Sequence, residues 1–291
     1  MTHRDAYTLL MVVALIWAGN FPLAKLGLVQ LGPLTLAGAR ALIAAPLLVL
    51  ASRLLEGPLP PLARRDWTAA IVLAATGFVG NSTLWYVGLL YTSPASAGIL
   101  GAASPVLVAL AAAAWLRERL STANLLGIAL TTSAVVLTVA HGSLEVLRTF
   151  AINRGDLIIL LSQLLWVTYT LYSRANRSTL TPLQLLAGAH AISAAVLLPA
   201  AMLERPWHSL AAASGIGWTV IFYSALLGTP GHIGFYRAVR TVGPGRAAVF
   251  MNLIPFLVFA LSWLLLDEPI RWYHLVGAAG VIAGVALTTR R

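Results

Sequence analysis

Apolar residues run along this chain in long blocks, broken by short groups of Gly, Pro, Arg and other polar residues. A helix that crosses a bilayer needs about 20 apolar residues in succession, and reading the blocks against that punctuation predicts ten helices. They fall near 7–27, 34–54, 67–91, 94–116 and 121–140, then near 156–175, 182–202, 216–238, 245–266 and 271–289. Only Tyr91-Thr92-Ser93-Pro94 separates the third block from the fourth, and Pro94 has no N–H with which to continue a helix. A tight hairpin is predicted there. The fold class is therefore an all-α polytopic membrane protein, a single transmembrane domain over 1–291 with no extramembrane domain.

The blocks repeat. A shift of 150 residues superposes Gly38 on Gly188, Tyr86 on Tyr236, Pro94 on Pro244, Pro105 on Pro255, Glu118 on Glu268 and Gly127 on Gly277. Trp17 and Trp166 pair at a shift of 149, Leu-Ile-Trp-Ala answering Leu-Leu-Trp-Val. Rare residue types in one register indicate two copies, about 1–145 and 150–291. Each copy holds five predicted helices, and an odd number turns the second copy upside down relative to the first. Inverted repeats are the architecture of secondary transporters, with the solute site near mid-membrane between the halves.

Composition agrees with the pattern: 59% of the 291 residues are hydrophobic and 10% charged, with a mean hydropathy of +0.85. A soluble domain carries about 25% charged residues. The net charge of +10 comes from basic residues set singly or in pairs in short connectors, which are topology signals and give no stripe for nucleic acid. Thirteen Lys and Arg fall on the side of the N-terminus and five on the other, with Arg40 inside a span. Cytoplasmic loops carry the excess, so both termini are placed in the cytoplasm and the chain in the cell inner membrane. The first block has full spanning length, and Gly19-Asn20-Phe21-Pro22 is a poor cleavage site, so a retained helix is expected there. With no cysteine, disulfides and thiolate metal sites are excluded.

Gly88-Leu-Leu-Tyr91-Thr92-Ser-Pro94-Ala-Ser-Ala97, Pro105, Arg117-Glu118-Arg119-Leu120 and Gly127 resemble the EamA-type carriers of the drug/metabolite transporter superfamily. So do Pro33-Leu-Thr-Leu-Ala-Gly-Ala-Arg40 and the opening Ile16-Trp17-Ala18-Gly19-Asn20-Phe21, with Pro244, Pro255, Asp267-Glu268-Pro269 and Gly277 in the second copy. The pattern departs at His190, which stands where the first copy has Arg40. The resemblance implies a 5+5 helix fold, alternating access and export of small metabolites. The members most alike are bacterial exporters of aromatic and other neutral amino acids.

Candidate substrate contacts are polar and aromatic residues in mid-span, because lipid-facing positions are normally aliphatic. Trp17 and Asn20 share a face of the first span, together with Asn81 and Trp85, and Ser82 and Tyr86, in the third. The sixth offers a stripe of Ser162, Trp166, Tyr169 and Ser173 with Gln163 beside it; the eighth His232 and Tyr236; the ninth Asn252. Amides and imidazoles can bond an ammonium or carboxylate, and indole and phenol faces stack a ring. Each also has a packing reading: the three asparagines as bonds between helices, the tyrosines, tryptophans and His232 as core. Arg40 either snorkels to the outer interface or binds a substrate carboxylate. Trp67, Trp115, Trp207, Trp218 and Trp272 lie near span ends and read as a headgroup belt, Glu118 and Glu268 as N-terminal charges for the next helix. Kinks are expected at Pro22, Pro105, Pro230 and Pro255, and close helix approach at Gly127, Gly277, Gly280 and Gly284.

All nine acidic residues, Asp5, Glu56, Asp66, Glu118, Glu145, Asp156, Glu204, Asp267 and Glu268, fall at or near span ends. Without a mid-span carboxylate to relay protons, facilitated diffusion is expected, with His190 or His232 the remaining route to proton coupling. A transferase would need a metal-binding acidic motif that the sequence lacks, and no Gly-x-Ser-x-Gly marks a protease. No enzyme activity, cofactor or metal is expected. The expected partners are a small-molecule substrate, an amino acid or related metabolite, and the lipid bilayer. The pattern sets no oligomeric state, and a monomer is compatible with it. An efflux pump for lipophilic drugs or cations is the alternative, and its usual buried counter-charge is missing.

Overall fold

The computed structural model describes all of the chain except 117–120, 150–151, 243–249, 252 and 290–291. Among the described residues the chain is all-helical. Six helices are long and apolar enough to cross a bilayer: His3–Gly27, Pro33–Glu56, Arg64–Tyr91, Thr122–Val139, Arg154–Ser173 and Pro182–Glu204. Pro206–Ala212 and Gly215–Phe235, bent by 114° to each other, make a seventh if the pair is one broken span, and Pro94–Val108, Ile254–Leu266 and Trp272–Leu287 are shorter apolar helices.

In chain order, α1 is His3–Gly27, α2 Pro33–Glu56, α3 Arg64–Leu73 and α4 Asn81–Tyr91. Then come α5 Pro94–Ala102, α6 Ser104–Leu116, α7 Thr122–Val139, the short α8 Leu144–Arg148, α9 Arg154–Ala175 and α10 Pro182–Ala201. The rest are α11 Pro206–Ala212, α12 Gly215–Phe222, α13 Gly231–Val242, α14 Ile254–Leu266 and α15 Trp272–Thr289. α1 begins ahead of its apolar block because Thr2 and Asp5 form a capping box, the Thr2 hydroxyl accepting from the Asp5 N–H and the carboxylate from the Thr2 N–H. Such a cap is invisible to a hydrophobicity count. The hairpin at Thr92-Ser93 is as the sequence predicts, with Pro94 at the start of α5 and Ser93 as its cap.

Helix irregularity is concentrated in two places. α3 and α4 are joined by a π-helical segment, Ala74–Gly80, and α12 is followed by a second, Tyr223–Gly228. They occupy matching positions, 149 residues apart at their starts. Each admits one residue too many for the α pattern, which is a recurrent device at functional sites. The proline expectation is met in part: Pro230 immediately precedes α13, Pro255 lies in the first turn of α14, and α5 breaks from α6 at Ala103, two residues before Pro105. Pro22 sits inside α1 without interrupting it, the freed carbonyl being tolerable where neighbouring helices pack.

Two helix pairs hold the halves together. α2 packs on α10 and runs antiparallel to it, since Glu56 at the end of α2 and Glu204, in the 3-10 turn Met202–Glu204 that follows α10, each reach the other helix's N-terminus. Glu204 accepts from the N–H groups of Leu34 at 3.0 Å and Thr35 at 2.7 Å and from the Thr35 hydroxyl at 2.8 Å. Glu56 accepts from the hydroxyl of Thr181, the cap of α10. α7 lies antiparallel on α15, so close that a Cβ on Gly284 would fall 2.6 Å from the Gly127 carbonyl oxygen. The glycine pattern therefore serves packing within the chain. Around these pairs α1 packs on α12, α13 and α14, while α9 packs on α3, α4, α5 and α6. The outer surface carries Leu15, Leu42, Leu50, Leu126, Leu164 and Trp263, all exposed, as lipid-facing positions require. Trp67, Trp207, Trp218 and Trp272 are exposed at or near helix starts, where a belt would lie; the side chain of Trp115 is outside the described residues.

Candidate functional site

α2 and α10 carry Arg40 and His190 to a common cavity between the halves. It is lined by Ala37, Arg40, Ala41, Phe78, Ser82, His190, Ser193 and Leu197. Arg40 turns inward, away from the outer interface to which it could have snorkelled, and its Nη1 donates to the hydroxyl of the fully buried Tyr86 at 3.5 Å. His190 is 2% exposed, its ring 3.9 Å from that of Phe78, and its Nδ1 bonds the Leu186 carbonyl at 3.1 Å while Nε2 has no partner. Among the described residues no carboxylate lies within 4 Å of Arg40. The cavity volume is about 10 Å³, room for one water-sized group. The centre is closed in this conformation.

The two π segments are gripped from across the interface. α1 meets the second: the Trp17 indole N–H donates to the Gly228 carbonyl at 3.1 Å, Asn20 Oδ1 accepts from the Ser224 hydroxyl at 2.7 Å, and Tyr223 donates to the Ile16 carbonyl at 2.9 Å. The Trp17 ring lies 4.9 Å from that of His232, whose Nδ1 bonds the Thr229 carbonyl at 3.1 Å. α9 meets the first: Tyr169 packs on Phe78 at 5.5 Å and stacks on Trp166 at 5.0 Å, while Asn81 donates to the Ser162 carbonyl at 2.8 Å. Gln163 accepts from the Ser104 hydroxyl at 2.6 Å, and Trp85 stands edge-on to Phe21 at 4.9 Å. Asn20, Asn81 and Gln163 thus have partners on neighbouring elements. Arg40, Ser82 and Tyr86 are brought together at the cavity or beside it. Asn252 and the side chain of Tyr236 lie outside the described residues.

A second concavity, which sequence reasoning missed, opens at the far ends of α1, α4 and α14. It has a volume of about 550 Å³ and is lined by Lys25, Tyr91, His141, Asn153, Glu268 and Tyr273 among others, within the range of small-molecule pockets. Lys25 donates to the carbonyls of Leu89, Leu90 and Thr92 at the end of α4, a cation where a helix C-terminus favours one. Asp156, fully buried, accepts from the Thr92 hydroxyl and lies 3.5 Å from His141 Nε2. Glu268 stands ahead of α15 with both carboxylate oxygens buried and without a hydrogen-bond partner, and the Arg271 N–H at the head of that helix is taken by His274 Nδ1; Glu118, its counterpart in the first copy, lies outside the described residues. The grouping is not legible in the sequence because each residue stands alone at a helix end, and the predicted side of each connector was the available signal.

Two copies of one family model match this chain, over residues 5–140 and 153–290, described as the EamA-like transporter family. The chain belongs to that family. YyaM, an uncharacterized transporter of Bacillus subtilis, is 27% identical over 98% of this chain and 93% of its own. An uncharacterized transporter of Archaeoglobus fulgidus is 28% identical over 99% of both chains. A Streptantibioticus cattleyicolor protein named "probable terminal-alkyne amino-acid exporter" is 28% identical over 100% of this chain and 95% of its own. One crystal structure shares the fold, with a TM-score of 0.65 at 21% identity over 99% of this chain and 98% of that one. This EamA-like protein is a multi-pass membrane transporter of small metabolites, of the drug/metabolite superfamily, and not an enzyme.

Proposed function

We propose that this transporter exports neutral amino acids with aromatic or hydrophobic side chains, or close relatives, from the cytoplasm by alternating access. The observation that carries the reading is Arg40: a guanidinium between the halves, ringed by Phe78, Tyr86 and His190 and lacking a carboxylate. A substrate that brings its own carboxylate and an apolar side chain supplies what is absent. The S. cattleyicolor relative, named for amino-acid export, supports the same class. In this reading Trp17, Asn20, Asn81, Ser82, Trp85, Gln163, Trp166, Tyr169 and His232 line the path or brace it.

The architecture proposed is ten transmembrane helices in two inverted five-helix repeats, 1–145 and 150–291, forming a single transport domain in the cell inner membrane with both termini cytoplasmic. Antiparallel packing of α2 on its repeat mate α10 and of α7 on α15 supports inversion, because helices related by a parallel repeat would run the same way. The larger cavity then faces outward, and parting of the halves at the π segments would open the centre. Transport is by facilitated diffusion, since the described carboxylates stand at helix ends. Efflux of lipophilic cations is the second reading, and the observation that favours it is the Glu268 carboxylate in the outer cavity, buried without a hydrogen-bond partner.

Counterflow in proteoliposomes tests the proposal. Vesicles loaded with unlabelled amino acid should accumulate labelled phenylalanine, tryptophan, methionine or threonine to the same extent with and without a pH gradient. Absence of accumulation for all four, in folded protein, would refute it, and accumulation only with a proton gradient would refute the facilitated mechanism.

A further inference from the structure

Arg40 and His190 occupy the same position in the two repeats, 150 residues apart, yet present opposite hydrogen-bonding characters to the cavity they share. Arg40 is donor only. His190 is oriented by the Leu186 carbonyl, and a carbonyl oxygen only accepts, so Nδ1 carries the ring proton. A buried imidazole beside a guanidinium is neutral, because a second cation there would face a like charge in a low dielectric. Nε2 is therefore a bare lone pair, and it is buried without a partner where an unmet acceptor is costly. The remaining polar liners add little: Ser193 already donates to the Ala189 carbonyl, and Ser82 can turn either way. The described acids are at helix ends, so nothing internal neutralises Arg40.

From this juxtaposition we infer that Arg40 and His190 form a head-group subsite for a carboxylate that carries an N–H or O–H donor on the adjacent carbon, the unit common to α-amino and α-hydroxy acids. The carboxylate takes the guanidinium fork, and the neighbouring donor fills the Nε2 lone pair. The inference rests on the amino-acid reading and sharpens it: an amine without a carboxylate has no site here, and a carboxylate without the neighbouring donor leaves Nε2 unmet. The cavity as it stands admits one small group, so the head group is seated as the halves part.

Side-chain-free probes test the subsite separately from the aromatic counterflow assay: glycine, glycolate, acetate, methylamine and trimethylglycine, titrated against thermal stability of the purified full chain. Glycine and glycolate should half-saturate at about five- to tenfold lower concentration than acetate, trimethylglycine should fall to the acetate level, and methylamine should give no shift. His190→Leu should bring glycine down to acetate, His190→Gln, with an amide oxygen near the place of Nε2, should keep the order, and Arg40→Gln should abolish the response to every carboxylate. Acetate or trimethylglycine matching glycine in the unaltered protein would overturn the inference. So would the unaltered order persisting in His190→Leu, or the absence of a response to any carboxylate. Because trimethylglycine needs no variant, a His190→Leu chain that fails to fold leaves the test intact. Should aromatic counterflow fail while the glycine order holds, the side-chain class is wrong and the head-group subsite stands.

Discussion

Replacing Glu204 with alanine removes the acceptor for three donors at the start of α2: the N–H groups of Leu34 and Thr35 and the Thr35 hydroxyl. Hydrogen bonds to a charged group are worth about 1.5 to 3 kcal/mol each when measured singly, but these three share one carboxylate and are not additive. Loss of an ordinary helix cap costs about 0.5 to 2 kcal/mol, which bounds the effect from below. Counted as one full charge-assisted bond, Glu204→Ala should destabilise by about 3 kcal/mol, or roughly 6 to 12 °C at about 2 to 4 °C per kcal/mol for a chain of this scale. Glu204→Gln keeps one oxygen, enough for both Thr35 donors, and sets an amide NH₂ against the Leu34 N–H. It should cost about half as much. Thermal unfolding of purified protein in one detergent, read by tryptophan fluorescence, measures both. An alanine variant within about 1 °C of the parent, where the cap alone predicts more, would refute the view that this carboxylate clamps α2 to α10 and so sets Arg40 against His190.

Three further outcomes follow from the same packing. Trp166→Ala or Tyr169→Ala removes one partner of a ring stack at 5.0 Å, worth about 0.5 to 1.5 kcal/mol beyond burial; counterflow should fall about tenfold with folded yield retained, and unchanged rates in both would remove α9 from the path. Asn81→Leu deletes the bond to the Ser162 carbonyl, so unfolding should come only slightly earlier, by about 0.6 to 1 kcal/mol, with transport preserved; loss of transport in stable protein would return Asn81 to the substrate. Gly77→Ala places a Cβ 2.4 Å from Tyr169 Cδ2, forcing the ring aside at a cost of about 1 to 3 kcal/mol, and counterflow at the parental rate would show that Tyr169 is not held by the π segment.

The six long apolar helices, the Pro94 hairpin and the repeat are legible in the sequence because each is written in apolar periodicity or in rare residues that keep register. Arg40, Ser82 and Tyr86 could be singled out for the same reason, as polar groups in apolar runs. The capping glutamates could not, since Glu56 and Glu204 find their partners 125 and 169 to 170 residues away, and a hydrophobicity pattern carries no long-range pairing. In the sequence His190 stands out as a departure from an arginine and as a route for protons; its unpartnered Nε2 depends on the neighbours of a folded ring. The π segments escaped because kinks were sought at prolines, and Ala74–Gly80 contains none. An inserted residue leaves no composition mark.

The repeat also explains why the central site needs a mismatch. Related positions of two repeats that touch one cavity lie near the relation between them, as Arg40 and His190 do. Had both been arginine, the cavity would hold two like charges with no internal acid, and it would offer the same group to either end of a zwitterion. Had both been histidine, nothing would hold a carboxylate by charge. One of each leaves a fixed cation and a fixed acceptor, so in the proposed mechanism the backbone keeps the approximate symmetry of the repeats while the side chains give the substrate a direction. Ser82 and His232, also 150 residues apart, repeat the device: Ser82 lines the cavity, whereas His232 is turned to the Thr229 carbonyl and the Trp17 ring. In the proposed site, swapping Arg40 with His190 should reverse the orientation of the bound head group while leaving the helix scaffold unchanged.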